Sequence, residues 1–96
     1  MSKYNLPVEY GKLQWAEKRF VREQYTAEQH GACYECGAPL SGDPALYVEQ
    51  KPVRKELYPT GFFRNPVHLH HDHGSGLTLG SVHAKCNAYL WDYKGE

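Results

Sequence analysis

Two ligand pairs of matching spacing constrain this chain more than any other feature: Cys33-x2-Cys36 followed by Gly37, and, fifty residues on, His83-x2-Cys86. Two thiolates at the first spacing chelate one ion from a tight knuckle, and a glycine at the next position tolerates the backbone turn beneath it. At the first turn of a helix, positions i and i+3 lie on one face, so His83 (through either ring nitrogen) and Cys86 Sγ reach one ion. Three sulfurs and one nitrogen close a tetrahedron with no open position, the donor set of a structural zinc, Zn2+. The rival reading makes Cys86 a small buried apolar residue and His83 a surface group. It leaves two matched pairs as coincidence.

A metal answers a need that the length creates. A chain of 96 residues makes one domain, and at this size it buries only about 60–70% of the surface its unfolded form exposes. Three cysteines cannot all pair with one another, which argues against a secreted disulfide framework. Eleven basic residues balance eleven acidic ones, so no global charge attracts nucleic acid or an anionic membrane. No apolar run suits a signal peptide or a membrane span. The chain reads as intracellular and cytoplasmic, with no membrane partner.

Residues 1–10 are polar and unpatterned and read as a flexible N-terminal arm; residues 11–96 read as a single domain. From Gly11 a helical stripe of Leu13, Ala16, Phe20 and Val21 suits a scaffold helix laid on the core, although Lys18, Arg19 and Arg22 could contact a DNA backbone. TAEQ at Thr26 fits a capping box and predicts a second short helix over 26–30, stopped by Gly31. ALYVEQ alternates like a strand, while Pro44, Pro52, Pro59 and Pro66 break up the rest of 41–66. VHLHHDH, GSG and LTLGSVH then read as a β-hairpin, and AKCNAYLWDY as a closing helix with Ala84, Ala88, Leu90 and Trp91 as apolar contacts.

Five of the six histidines lie between positions 68 and 83. Strand alternation puts His71 and His73 on one side and His68, His70 and Asp72 on the other. Asn87 directly follows the ligand Cys86, and a hairpin packed across the last helix brings it towards these histidines. Imidazole nitrogen and amide oxygen on one divalent ion leave positions for phosphate oxygens and water. Imidazole also has the right ordinary pKa to activate water near neutral pH. His68 reads as a solvent-facing strand residue, Asp72 as a group orienting the hairpin or a histidine, and His73 as a phosphate contact or a second ligand.

The order C-x2-C-G, HHDH, glycine turn, strand, H-x2-C-N resembles the HNH endonucleases, most closely the recombination-endonuclease-VII-like branch. The likeness spans about residues 20–93. It implies a small α+β domain of treble-clef type, with leading helices, a zinc knuckle and a ββα-metal core over about 66–93. It implies a bacterial or phage-encoded DNA endonuclease that binds one Mg2+ or Mn2+ and acts on duplex or branched DNA, with a homodimer as one way to cut both strands. By the resemblance His70 and Asn87 hold the catalytic ion, His71 is the general base, and His73 contacts the scissile phosphate or assists the leaving group. The chain departs from that branch in three places. His70 stands where the branch commonly has Asp, His83 replaces a cysteine, and 41–66 is long. The alternative function is a non-catalytic zinc-ribbon module for nucleic acid, which the HHDH run and Asn87 speak against because such a ribbon needs Arg and Lys there. A third is a zinc-stabilised adaptor that binds protein through Tyr89, Trp91 and Tyr93.

Overall fold

β-prone residues on either side of a glycine-rich turn close the predicted hairpin: Val67–His71 (β1) pairs antiparallel with Thr78–His83 (β2). The computed structural model describes residues 4–94. Asp72 stitches the turn, accepting the Ser75 N–H on Oδ2 at 2.8 Å and the Gly76 N–H on its carbonyl at 2.7 Å. His70 faces Gly80 but His71 faces Thr78, which leaves Leu79 without a partner. Such an irregularity bends the strand and re-aims the side chains beside it. Ala84–Lys94 (α3) continues directly from β2, as the closing helix predicts. Together with Trp15–Glu28 (α1), these elements make a small mixed α+β fold. Among the described residues no helix is long and apolar enough to cross a membrane.

Four local expectations are overturned. α1 runs through Thr26 without a break. There the Thr26 hydroxyl bonds back to the Arg22 carbonyl at 2.9 Å instead of capping a new helix. The buried face of α1 is Val21 and Tyr25, whereas Phe20 is half exposed and Ala16 exposed. Polar contacts to β2 set this rotation: Tyr25 Oη lies 2.8 Å from Thr78 Oγ1, and Thr26 Oγ1 lies 3.0 Å from Ser81 Oγ. ALYVEQ forms one helical turn, Leu46–Glu49 (α2), and no strand, because tertiary packing draws Val48 fully into the core. Trp91, counted among the apolar contacts of α3, is exposed.

The N-terminal arm is also tied down over part of its length. Residues 1–3 lie outside the described residues, but Thr78 N–H donates to the Val8 carbonyl at 2.8 Å and Tyr10 N–H to the Gly76 carbonyl at 2.8 Å. Backbone pairing with the hairpin needs no apolar pattern, which is why a polar sequence hides it.

One apolar cluster of Cys33, Leu40, Val48, Val82, Cys86, Tyr89 and Leu90 forms the core, with Cys36 and Val67 packed against it. The cysteines are therefore part of the core. Residues 50–66 lie along α3, through Tyr58 Oη to the Ala88 carbonyl at 3.1 Å and Arg54 to Asp92 at 3.6 Å. The outer edge of β2 is covered by Gln29, whose amide accepts Ser81 N–H at 2.8 Å and donates to the Ser81 carbonyl at 2.9 Å. A Cβ on Gly80 would stand 2.7 Å from Gln29 Oε1 and 2.9 Å from the Tyr34 side chain. Gly80→Ala should therefore cost about 1–3 kcal/mol by overpacking, read as a lower midpoint in thermal unfolding. An unchanged midpoint would mean that Gln29 and Tyr34 yield at no cost.

Candidate metal centre and adjoining histidine cavity

The knuckle is built by local backbone bonds. Cys33 N–H donates to the Ala38 carbonyl at 2.8 Å and Gly37 N–H to the Cys33 carbonyl at 3.0 Å. Gly37 sits at φ 80°, where a side chain would be strained. Sulfur atoms aimed inward accept further amides: Cys33 Sγ from Glu35 at 3.4 Å, and Cys36 Sγ from Ala45 at 3.4 Å. His83 is the last residue of β2, one position before α3 begins, and Cys86 lies in the first turn of that helix.

The four predicted ligand atoms lie within 4.8 Å of one another, positioned to hold a metal ion. His83 uses Nδ1, which lies 3.5 Å from Cys36 Sγ and 3.6 Å from Cys86 Sγ. A tetrahedral ion with ordinary Zn–S and Zn–N bonds sets an S···N edge of about 3.6 Å, so the donor set and its spacing fit that ion. Nε2, on the far side of the ring, faces the Pro39 carbonyl at 2.9 Å. Its N–H donates there, and this leaves the Nδ1 lone pair for the metal. Burial and crowding put the thiols in conflict. The Cys86 sulfur beside Cys33 lowers the Cys33 pKa, while the same contact and desolvation push Cys86 up. A bound cation removes that conflict by taking all three as thiolates.

Beside this centre lies a cavity of about 330 Å³. His68, His70, His71 and His73 all line it, and so do Asn87 from α3 and Lys18 and Arg22 from α1. Simple strand alternation divides these histidines between two sides. The register shift at His70/His71 and the turn after it bring them to one cavity. His70 is almost fully buried, at 3% exposure. His71 stacks on Tyr10, with ring centroids 4.0 Å apart and planes 11° from parallel, and meets His73 edge to face at 4.8 Å. Burial first, then the His73 and His70 rings and Lys18, hold His71 below the ordinary imidazole pKa, with Asp72 opposing. His73 also packs edge to face on Trp91 at 5.1 Å.

Tyr10, Phe62 and the placement of His68 are among the features of the cavity that escape a reading of the sequence. Tyr10 arrives with the docked arm, and Lys18 Nζ sits 4.4 Å from its ring centroid. His68 is not solvent-facing. It is partly buried between the Phe62 carbonyl, 2.8 Å from Nε2, and Asn87 Nδ2, 3.1 Å from Nδ1. Desolvation lowers its pKa against the raising effect of the Phe62 and Asn65 backbone. Of the three basic residues on α1, Lys18 and Arg22 reach the cavity, whereas Arg19 pairs with Glu23 at 3.2 Å in solvent. Comparison of the chain with protein-family models, with curated proteins and with solved structures gives no match.

Proposed function

We propose that the chain is a metal-dependent DNA endonuclease of the HNH type, with zinc in the Cys33/Cys36/His83/Cys86 centre. A knuckle, hairpin and helix joined at one ion follow the treble-clef plan. One observation carries the reading: His70, His71 and His73 from the hairpin share a cavity with Asn87 from α3 and with two cations from α1. Lys18 and Arg22 supply positive charge for a phosphodiester in a chain with no net charge of its own. His71 takes the role of general base, because burial keeps it neutral near pH 7 and Tyr10 fixes its ring plane. His73 takes the phosphate or leaving-group side. His70 and Asn87 would hold one Mg2+ or Mn2+, and two ligands leave positions for water and phosphate oxygens. Held there, a divalent ion would supply charge stabilisation to a phosphodiester undergoing hydrolysis.

The test is relaxation of supercoiled plasmid by zinc-loaded protein with and without Mg2+ or Mn2+. Nicking that depends on the added ion is the expected result. DNA binding without cleavage would instead favour the non-catalytic ribbon. Asn87→Ala should retain zinc but need much more Mg2+ or Mn2+ for the same rate. A superimposable metal titration would reduce Asn87 to a helix-surface amide.

A further inference from the structure

We infer that His68 is a positioning residue that turns the Asn87 amide, presenting Oδ1 and not Nδ2 to the cavity. The inference rests on the reading of Asn87 as a cation ligand, and it follows from the donor and acceptor inventory of three groups. A carbonyl oxygen only accepts, so the Phe62 carbonyl, 2.8 Å from His68 Nε2, requires the imidazole proton on that nitrogen. Nδ1 of the neutral ring is then a bare lone pair. It can only accept, so the amide nitrogen of Asn87, and not its oxygen, must face it, as the 3.1 Å contact has it. An amide with its nitrogen held in this way points its oxygen in the opposite sense. That oxygen is the atom a divalent cation takes, since an NH2 group has no lone pair to give.

The chain of control begins outside the hairpin. Phe62 belongs to the long segment before β1, and its ring meets the His68 ring edge to face at 4.6 Å. Phe62, His68 and Asn87 all line the same cavity. Segment, strand and helix are thus linked in one relay, Phe62 to His68 to Asn87, of the kind that fixes ligand tautomers around metals.

The experiment uses zinc-loaded full chain and Mn2+ as the probe. Free Mn2+ is followed by electron paramagnetic resonance, and plasmid nicking is measured over the same titration. His68→Ala should weaken Mn2+ binding by about 10–100-fold and shift the activation curve equally, while the rate at saturating Mn2+ stays near wild type. His68→Gln should recover most of the affinity, because a side-chain amide also pairs an acceptor with a donor in one plane. A merely structural role predicts that Ala and Gln are equally impaired in zinc content and unfolding midpoint, and that outcome overturns the inference. So does an Mn2+ isotherm unmoved by either substitution, or a wild type that binds no Mn2+ beyond its zinc. A wild type that binds Mn2+ in a His68-dependent manner yet never cuts DNA would sink the nuclease reading and leave this inference standing.

Discussion

His71→Ala should lower DNA cleavage by roughly 10²–10⁴-fold, the usual contribution of a positioned general base, with zinc content, folding and DNA affinity retained. The sign of the accompanying pH profile follows from the environment of the ring. A base works only when neutral, and burial beside His73, His70 and Lys18 lowers the His71 pKa. The neutral form therefore persists to lower pH than for a free imidazole at about 6.5. Wild-type cleavage should rise with pH and reach its plateau at a lower pH than a free imidazole would give. His70→Ala should behave differently, moving the metal requirement as well as the rate. A His71→Ala protein that nicks plasmid at the wild-type rate would move the base to His70 or His73. Tyr10 offers a second handle, since its ring covers His71 from a segment paired with the hairpin through its backbone.

Removing the metal from the Cys3His centre should unfold the chain. A structural zinc contributes about 10–16 kcal/mol of binding free energy to a small domain, which matches or exceeds the whole stability of about 5–15 kcal/mol typical of a folded protein. Here the effect is sharpened by location, because Cys33 and Cys86 belong to the apolar core and both are buried. Without the cation, crowding pulls the Cys33 thiol down and pushes the Cys86 thiol up inside that core. Purified protein should hold about one zinc per chain, and Cys36→Ser should lower that content and broaden the thermal transition. Chelation followed by circular dichroism reads the same quantity without mutation. A zinc-free preparation with native helix content and a sharp transition would refute the structural role.

The parts of this fold that are legible in the sequence are those specified by short-range chemistry. The C-x2-C-G knuckle, the glycine turn between β-prone runs and the H-x2-C-N entry to α3 each declare themselves within a few residues. What escapes is specified by distant partners. Thr26 begins a plausible cap, but its hydroxyl bonds back to the Arg22 carbonyl one turn earlier and reaches Ser81, 55 residues away, which no local motif contains. Val48 sits in an alternating run that reads as a strand, yet it packs into the cysteine cluster from a helical turn. His68 looks like the least useful histidine until the Phe62 carbonyl and Asn87 close on its two nitrogens. The cavity is half legible for the same reason. Its histidines stand in one run, but Tyr10, Lys18 and Arg22 are brought in by the arm and α1.

With an ion bound, the four-residue centre would also act as a clasp on a polymer. Cys36 Sγ and His83 Nδ1 lie 3.5 Å apart although 47 positions separate them along the chain. The entropy of closing such a ring grows only with the logarithm of its length, so doubling the span adds about 0.6 kcal/mol. A clasp that contributes several times that amount is indifferent to how many residues it encloses. Residues 59–60 are exposed in the turn that leads to Phe62, and neither supplies a ligand to the centre. At that bend the enclosed segment can gain or lose length while the knuckle, the hairpin and the first turn of α3 keep their mutual geometry. The chemistry is bolted at the two ends, and the reach of the protein is free to be set in between.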